Sequence, residues 1–100
     1  MSKTAKQIAQ EILDYIKRCG GLYGSWYVGI TSDPQKRLFS EHGVREKGDS
    51  WIFRDASSVE EARAIEQYFV NSLGTDGGSG GGDASSRFVY AYKKSAHTRP

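Results

Sequence analysis

The chain has 100 residues and a net charge of +2, which bounds it to one domain, residues 1–100, with a single core. Cys19 is its one cysteine, so a disulfide framework and a cysteine-rich zinc site are excluded and a reducing, cytoplasmic setting is expected. No apolar run approaches the roughly 20 residues that cross a bilayer and the first residues lack a signal-peptide core, so no membrane partner is expected.

From about residue 4 to 18, Ala5, Ile8, Ala9, Ile12, Leu13 and Ile16 follow the period of an amphipathic helix. Thr4 and Gln7 form a capping box before it, and Gly20-Gly21 stops it. Residues 25–31 are aromatic and β-branched and predict a strand. Asp33-Pro34 then supplies an N-cap and a proline at the first helical position, for a short helix that reaches His42 and stops at Gly43.

Gly48-Asp49 marks a turn, and residues 51–56 predict a second strand. Ser57 or Ser58 caps a third helix with Glu60 and Glu61 in its first turn, where the helix dipole favours carboxylates. Val59, Ala62, Ile65, Phe69 and Leu73 trace its apolar face, and Gly74 follows. Residues 74–86 are expected to be a flexible glycine-rich loop, because they fit neither the phosphate-cradling nor the dinucleotide-binding glycine pattern. Asp76 and Asp83 within it have no spacing that selects a cation. A last strand over 87–93 precedes a tail expected to fray from Ser95.

The charge is unevenly distributed: Lys36, Arg37, Arg45, Lys47 and Arg54 lie centrally, and Arg87, Lys93, Lys94 and Arg99 near the end. Such a pattern fits either a basic face or an ordinary mixed surface.

Trp26-Tyr27-Val28-Gly29-Ile30-Thr31, followed by a helix with Arg37 ten residues after Tyr27, resembles the second half of a GIY-YIG nuclease core. The strand at Trp51 and the helix around Ala64-Ile65-Glu66-Gln67-Tyr68-Phe69 agree with that order, so the resemblance covers residues 26 to about 73. It implies an α+β fold, a small antiparallel three-stranded sheet flanked by about three helices. It also implies a metal-dependent endonuclease that hydrolyses DNA phosphodiester bonds with Mg2+ or Mn2+. Specificity is then expected from a homo-oligomer or a partner protein, with the first helix as an interface or as simple packing.

In this resemblance Arg37 binds the phosphate, since a guanidinium matches it with paired hydrogen bonds. Glu66 is the metal ligand, one carboxylate being enough for an ion otherwise held by water and phosphate oxygen. Tyr27 orients or deprotonates the attacking water. His42 stands five residues after Arg37 where the family places its histidine or tyrosine at four, and reaches the site as general base if the helix unwinds before Gly43. Gly29 allows substrate or a helix to approach the strand, and Lys36, Tyr23 and Tyr90 are candidate substrate-binding residues.

The family's first strand, which pairs with the Tyr-x-Gly strand, has no counterpart upstream. Gly21-Leu22-Tyr23 lies too close to Tyr27, and Tyr15 falls within a helical period. Either Tyr23 enters the cleft from the turn, or the C-terminal strand fills the missing edge and brings Tyr90 or Tyr92. The alternative to catalysis is a nucleic-acid-binding or protein-interaction module that keeps the fold.

Overall fold

The computed structural model describes residues 4–77 and 86–100. Helix α1 (Ala5–Cys19) starts where expected: the Thr4 hydroxyl accepts from the Gln7 N–H at 3.2 Å and the Gln7 side chain returns the bond to the Thr4 N–H at 2.9 Å. It ends at Gly20, whose φ of 82° suits a residue without Cβ. A 3-10 turn over Tyr23–Ser25, unmarked by any periodicity, leads into strand β1 (Trp26–Thr31).

Asp33 opens the next helix by accepting from the Lys36 N–H at 3.1 Å, and its body, Lys36–Glu41, is wound as a π-helix. Strand β2 (Trp51–Asp55) follows, then α2 (Val59–Gln67), capped by the Ser58 hydroxyl on the Glu61 N–H at 3.2 Å. The predicted third helix thus begins as α but runs on as a second π-helical segment, Tyr68–Leu73, stopped by Gly74 at φ 87°. Strand β3 spans Phe88–Lys93.

The domain is α+β, with three antiparallel strands in the order β1-β3-β2. The C-terminal strand is therefore central, which corrects the expectation that it fills an edge. Its composition explains the place: Val89, Tyr90, Ala91 and Tyr92 are all buried, as a strand covered on both faces requires, whereas β2 is only partly buried.

Alternation along the strands sorts the two faces. Trp26, Val28, Ile30, Ile52, Val89 and Ala91 meet Ile8, Ile12 and Ile16 of α1 and Ala62 and Ile65 of α2 in an aliphatic core. The apolar face of α1 is spent on this packing, and the Tyr15 hydroxyl, accepting from the Trp51 N–H at 3.0 Å, fixes the helix to β2. Tyr27, Tyr90 and Tyr92 point to the opposite face, under Leu38 and Val44.

Two segments expected to be loose are ordered. Residues 75–77, the start of the glycine-rich stretch, run beside β1: the Val28 N–H donates to the Asp76 carbonyl at 3.0 Å and the Asp76 N–H to the Trp26 carbonyl at 2.8 Å. Residues 78–85 of that loop, Asp83 among them, lie outside the described residues. The tail folds back instead of fraying, because a Ser/Thr turn satisfies its backbone: the Ser95 N–H donates to Thr98 Oγ1 at 2.9 Å, which donates to the Ser95 carbonyl at 3.1 Å. Among the described residues, no helix is long and apolar enough to cross a membrane.

Candidate active site

The register of β1 against β3 sets Tyr27 opposite Tyr92 and Gly29 opposite Tyr90. The Tyr90 ring lies across Gly29, where an added Cβ would come within 2.5 Å of the hydroxyl and 2.7 Å of Cζ. Glycine is needed here for a tyrosine from the neighbouring strand, which corrects the expectation of an approaching substrate or helix. The Tyr27 ring stacks on Tyr92 at 5.3 Å and on Tyr90 at 6.2 Å between centroids.

His42 reaches this cluster through the π-helix. Its N–H donates to the Arg37 carbonyl at 2.9 Å, an i→i+5 bond. A π-turn holds one residue more than an α-turn, so position i+5 takes the direction that i+4 has in an α-helix. The offset between Arg37 and His42 is absorbed by winding rather than by fraying. The imidazole then sits 4.7 Å from the Tyr27 ring and 4.9 Å from that of Tyr92.

Its hydrogen bonds assign its tautomer. Nδ1 lies 2.6 Å from the Arg99 carbonyl, which can only accept, so Nδ1 carries the proton. Nε2 is left with a lone pair and accepts from the Tyr90 hydroxyl at 2.8 Å. His42 as a whole is 7% exposed. Burial holds its pKa below the ordinary 6.5, against the Arg99 carbonyl and with help from the Arg37 charge, so the imidazole is neutral at pH 7.

Burial likewise raises the pKa of each phenol in the cluster. For Tyr27 and Tyr90 the Arg37 guanidinium opposes that rise, so the charge that favours a phenolate there is Arg37. Arg37 itself pairs with Glu41, Nη1 to Oε1 at 2.6 Å. Its Nε is buried with no hydrogen-bond acceptor among the described residues, although the guanidinium lies against the Tyr90 hydroxyl. An open polar cleft of about 540 Å³ lies beside it, bounded by Thr31, Asp33, Lys36, Arg37 and Glu41.

Glu66 projects from α2 and is 8% exposed. Burial raises its pKa, Arg63 opposing, and its charge is felt at the Tyr27 hydroxyl. Among the described residues no set of three or more His, Cys, Asp and Glu side chains could share a metal ion. A lone, poorly solvated carboxylate nonetheless fits Mg2+, which keeps most of its water and takes one or two carboxylates.

Tyr27, Tyr90, Arg37 and His42 are thus brought together, Lys36 shares the cleft with Arg37, and Glu66 is within electrostatic reach. Tyr23 is not brought in: it packs against the helix-side core from the 3-10 turn. Tyr92, offered beside Tyr90 as the second hydroxyl, joins it, because a spacing of two puts both on one face. One participant was not among the candidates: the Arg99 carbonyl leaves no signal, since it acts through backbone.

The chain matches no family model, no curated protein and no solved structure.

Proposed function

We propose that this domain is a metal-dependent endonuclease of the GIY-YIG type, hydrolysing phosphodiester bonds in DNA. The observation that carries the reading is the hydrogen-bonded pair of His42 and Tyr90 beside Tyr27 and Arg37. The family's missing first strand has a substitute in β3, antiparallel to β1, as a circular permutation would leave it.

In this reading Arg37 binds the scissile phosphate and offsets the charge that develops on it. In a concerted relay the attacking water gives its proton to the Tyr90 oxygen as the Tyr90 proton passes to His42 Nε2, already its hydrogen-bond acceptor, while Tyr27 holds that water in place. The water oxygen bonds to phosphorus as the bond to the leaving sugar oxygen breaks, and bulk water protonates that oxygen. Glu66 would hold Mg2+ or Mn2+, whose chemistry is to lower the pKa of bound water and to neutralise phosphate oxygen.

The Arg37–Glu41 pair favours a second reading, a nucleic-acid-binding or protein-interaction module without catalysis, because it holds the guanidinium back from a scissile phosphate. A Mg2+-dependent cleavage assay on branched, single-stranded and duplex DNA separates the two. Cleavage lost in both Glu66→Ala and Arg37→Ala is the expected result. Salt-sensitive binding without cleavage would leave the module, and cleavage unchanged by both substitutions would remove the site.

A further inference from the structure

We infer that the tail, residues 95–99, is a positioning strap for His42, in which the Arg99 carbonyl selects the Nδ1–H tautomer and so aims the Nε2 lone pair at the Tyr90 hydroxyl. The inference deepens the proposed function and rests on His42 being the base of that site.

Two of the three groups around the imidazole cannot decide its tautomer. Tyr90 Oη lies 2.8 Å from Nε2 and Tyr92 Oη 3.1 Å from Nδ1. A phenol both donates and accepts, so these two hydroxyls suit either arrangement. With Tyr92 donating to Nδ1, the Nε2–H would donate to Tyr90 and the ring could not take the Tyr90 proton. The Arg99 carbonyl, 2.6 Å from Nδ1, breaks that symmetry because it has no proton to give.

The strap is tied down along its length. The Arg99 N–H donates to the His42 carbonyl at 2.7 Å, so one residue grips both backbone and ring of another. His97 Nε2 meets Asp49 Oδ2 at 2.5 Å, and the same oxygen accepts from the Arg45 N–H at 2.7 Å. Thr98, 8% exposed, closes its turn on Ser95. The chain passes directly over Gly43, where an added Cβ would lie 3.2 Å from the His97 carbonyl. These anchors serve no part of the aliphatic core; they hold a carbonyl against a ring nitrogen.

Nitrogen-15 spectra of the imidazole in the intact chain read the tautomer without any need for cleavage. The expected pattern is protonated Nδ1 and bare Nε2, retained in Arg99→Ala, which keeps the backbone. His97→Ala combined with Thr98→Ala removes both side-chain anchors. It is expected to shift the ring toward the Nε2–H form or a mixture, and to slow single-turnover cleavage by about 10-fold or more, within the roughly 10²–10⁴-fold that a general base supplies. If that variant does not fold, His97→Asn alone is read in the same way. An Nε2–H ring in the intact chain, or an unchanged Nδ1–H ring once the anchors are gone, would overturn the inference. An intact chain that shows the expected tautomers but cleaves no DNA would instead sink the nuclease reading.

Discussion

The Tyr90 hydroxyl donates to His42 Nε2 at 2.8 Å, joining the central strand to the π-helix across 48 positions of sequence. The folded pKa of His42 lies below its ordinary 6.5, so in the window beneath that value the unfolded chain binds the extra proton and the folded chain does not. Stability is present above about pH 6.5 and lost as pH falls through the folded pKa. Cleavage should show an acid limb below 6.5 in its pH–rate profile, absent from the residual activity of His42→Phe. Denaturant titrations of the two proteins across pH 5–7 check the stability half.

Gly29→Ala would force the Tyr90 ring off β1, since the new methyl would meet its hydroxyl at 2.5 Å. Overpacking of this kind costs about 1–3 kcal/mol. The expected outcome is a lower denaturant midpoint with an unchanged slope, together with loss of the Tyr90–His42 bond in the imidazole spectra.

Glu66 is a stability liability at neutral pH. Burial raises its pKa above the ordinary 4.5, so the folded chain holds its proton where the unfolded chain has released it, and its contribution falls as pH rises through the folded pKa. Glu66→Gln should therefore be more stable than the native chain at pH 7, with the advantage gone below pH 4.5. Millimolar Mg2+ should narrow the gap by stabilising the native carboxylate alone; a thermal shift series with and without the ion measures it.

Glu41→Gln frees the Arg37 guanidinium for phosphate. The pair is an exposed i,i+4 contact at 2.6 Å, and such pairs contribute only about 0.3–0.5 kcal/mol, so the melting temperature should barely move. DNA affinity should rise by a few-fold at low salt, read by fluorescence anisotropy, and an unchanged affinity would mean that Glu41 does not compete for the site.

Much of this was legible locally. Thr4, Asp33 and Ser58 announce helix starts, Gly20, Gly43 and Gly74 their ends, and alternation in 26–31 and 88–93 sorts the two faces, because caps and periods are short-range properties of the chain. Tyr27, Arg37 and Glu66 could be singled out only through the resemblance of residues 26 to about 73 to a GIY-YIG core. The glycine at position 29 could be noticed, but its reason could not, since the ring it accommodates comes from a strand some sixty residues on.

The sequence by itself determined which segments are helix and which are strand, and which side chains share a face. Tertiary structure alone decided that β3 lies between β1 and β2, that Lys36–Glu41 winds as a π-helix, and that the Arg99 carbonyl seats the His42 ring. The physical reason is the range of the interactions: strand order and the tail's contact depend on which distant surfaces pack together, and the π-turn is held by the burial of His42 against that packed sheet. Tyr27 and Arg37 are neighbours by spacing; Tyr90, His42 and Arg99 meet because the far end of the chain folds back on its middle.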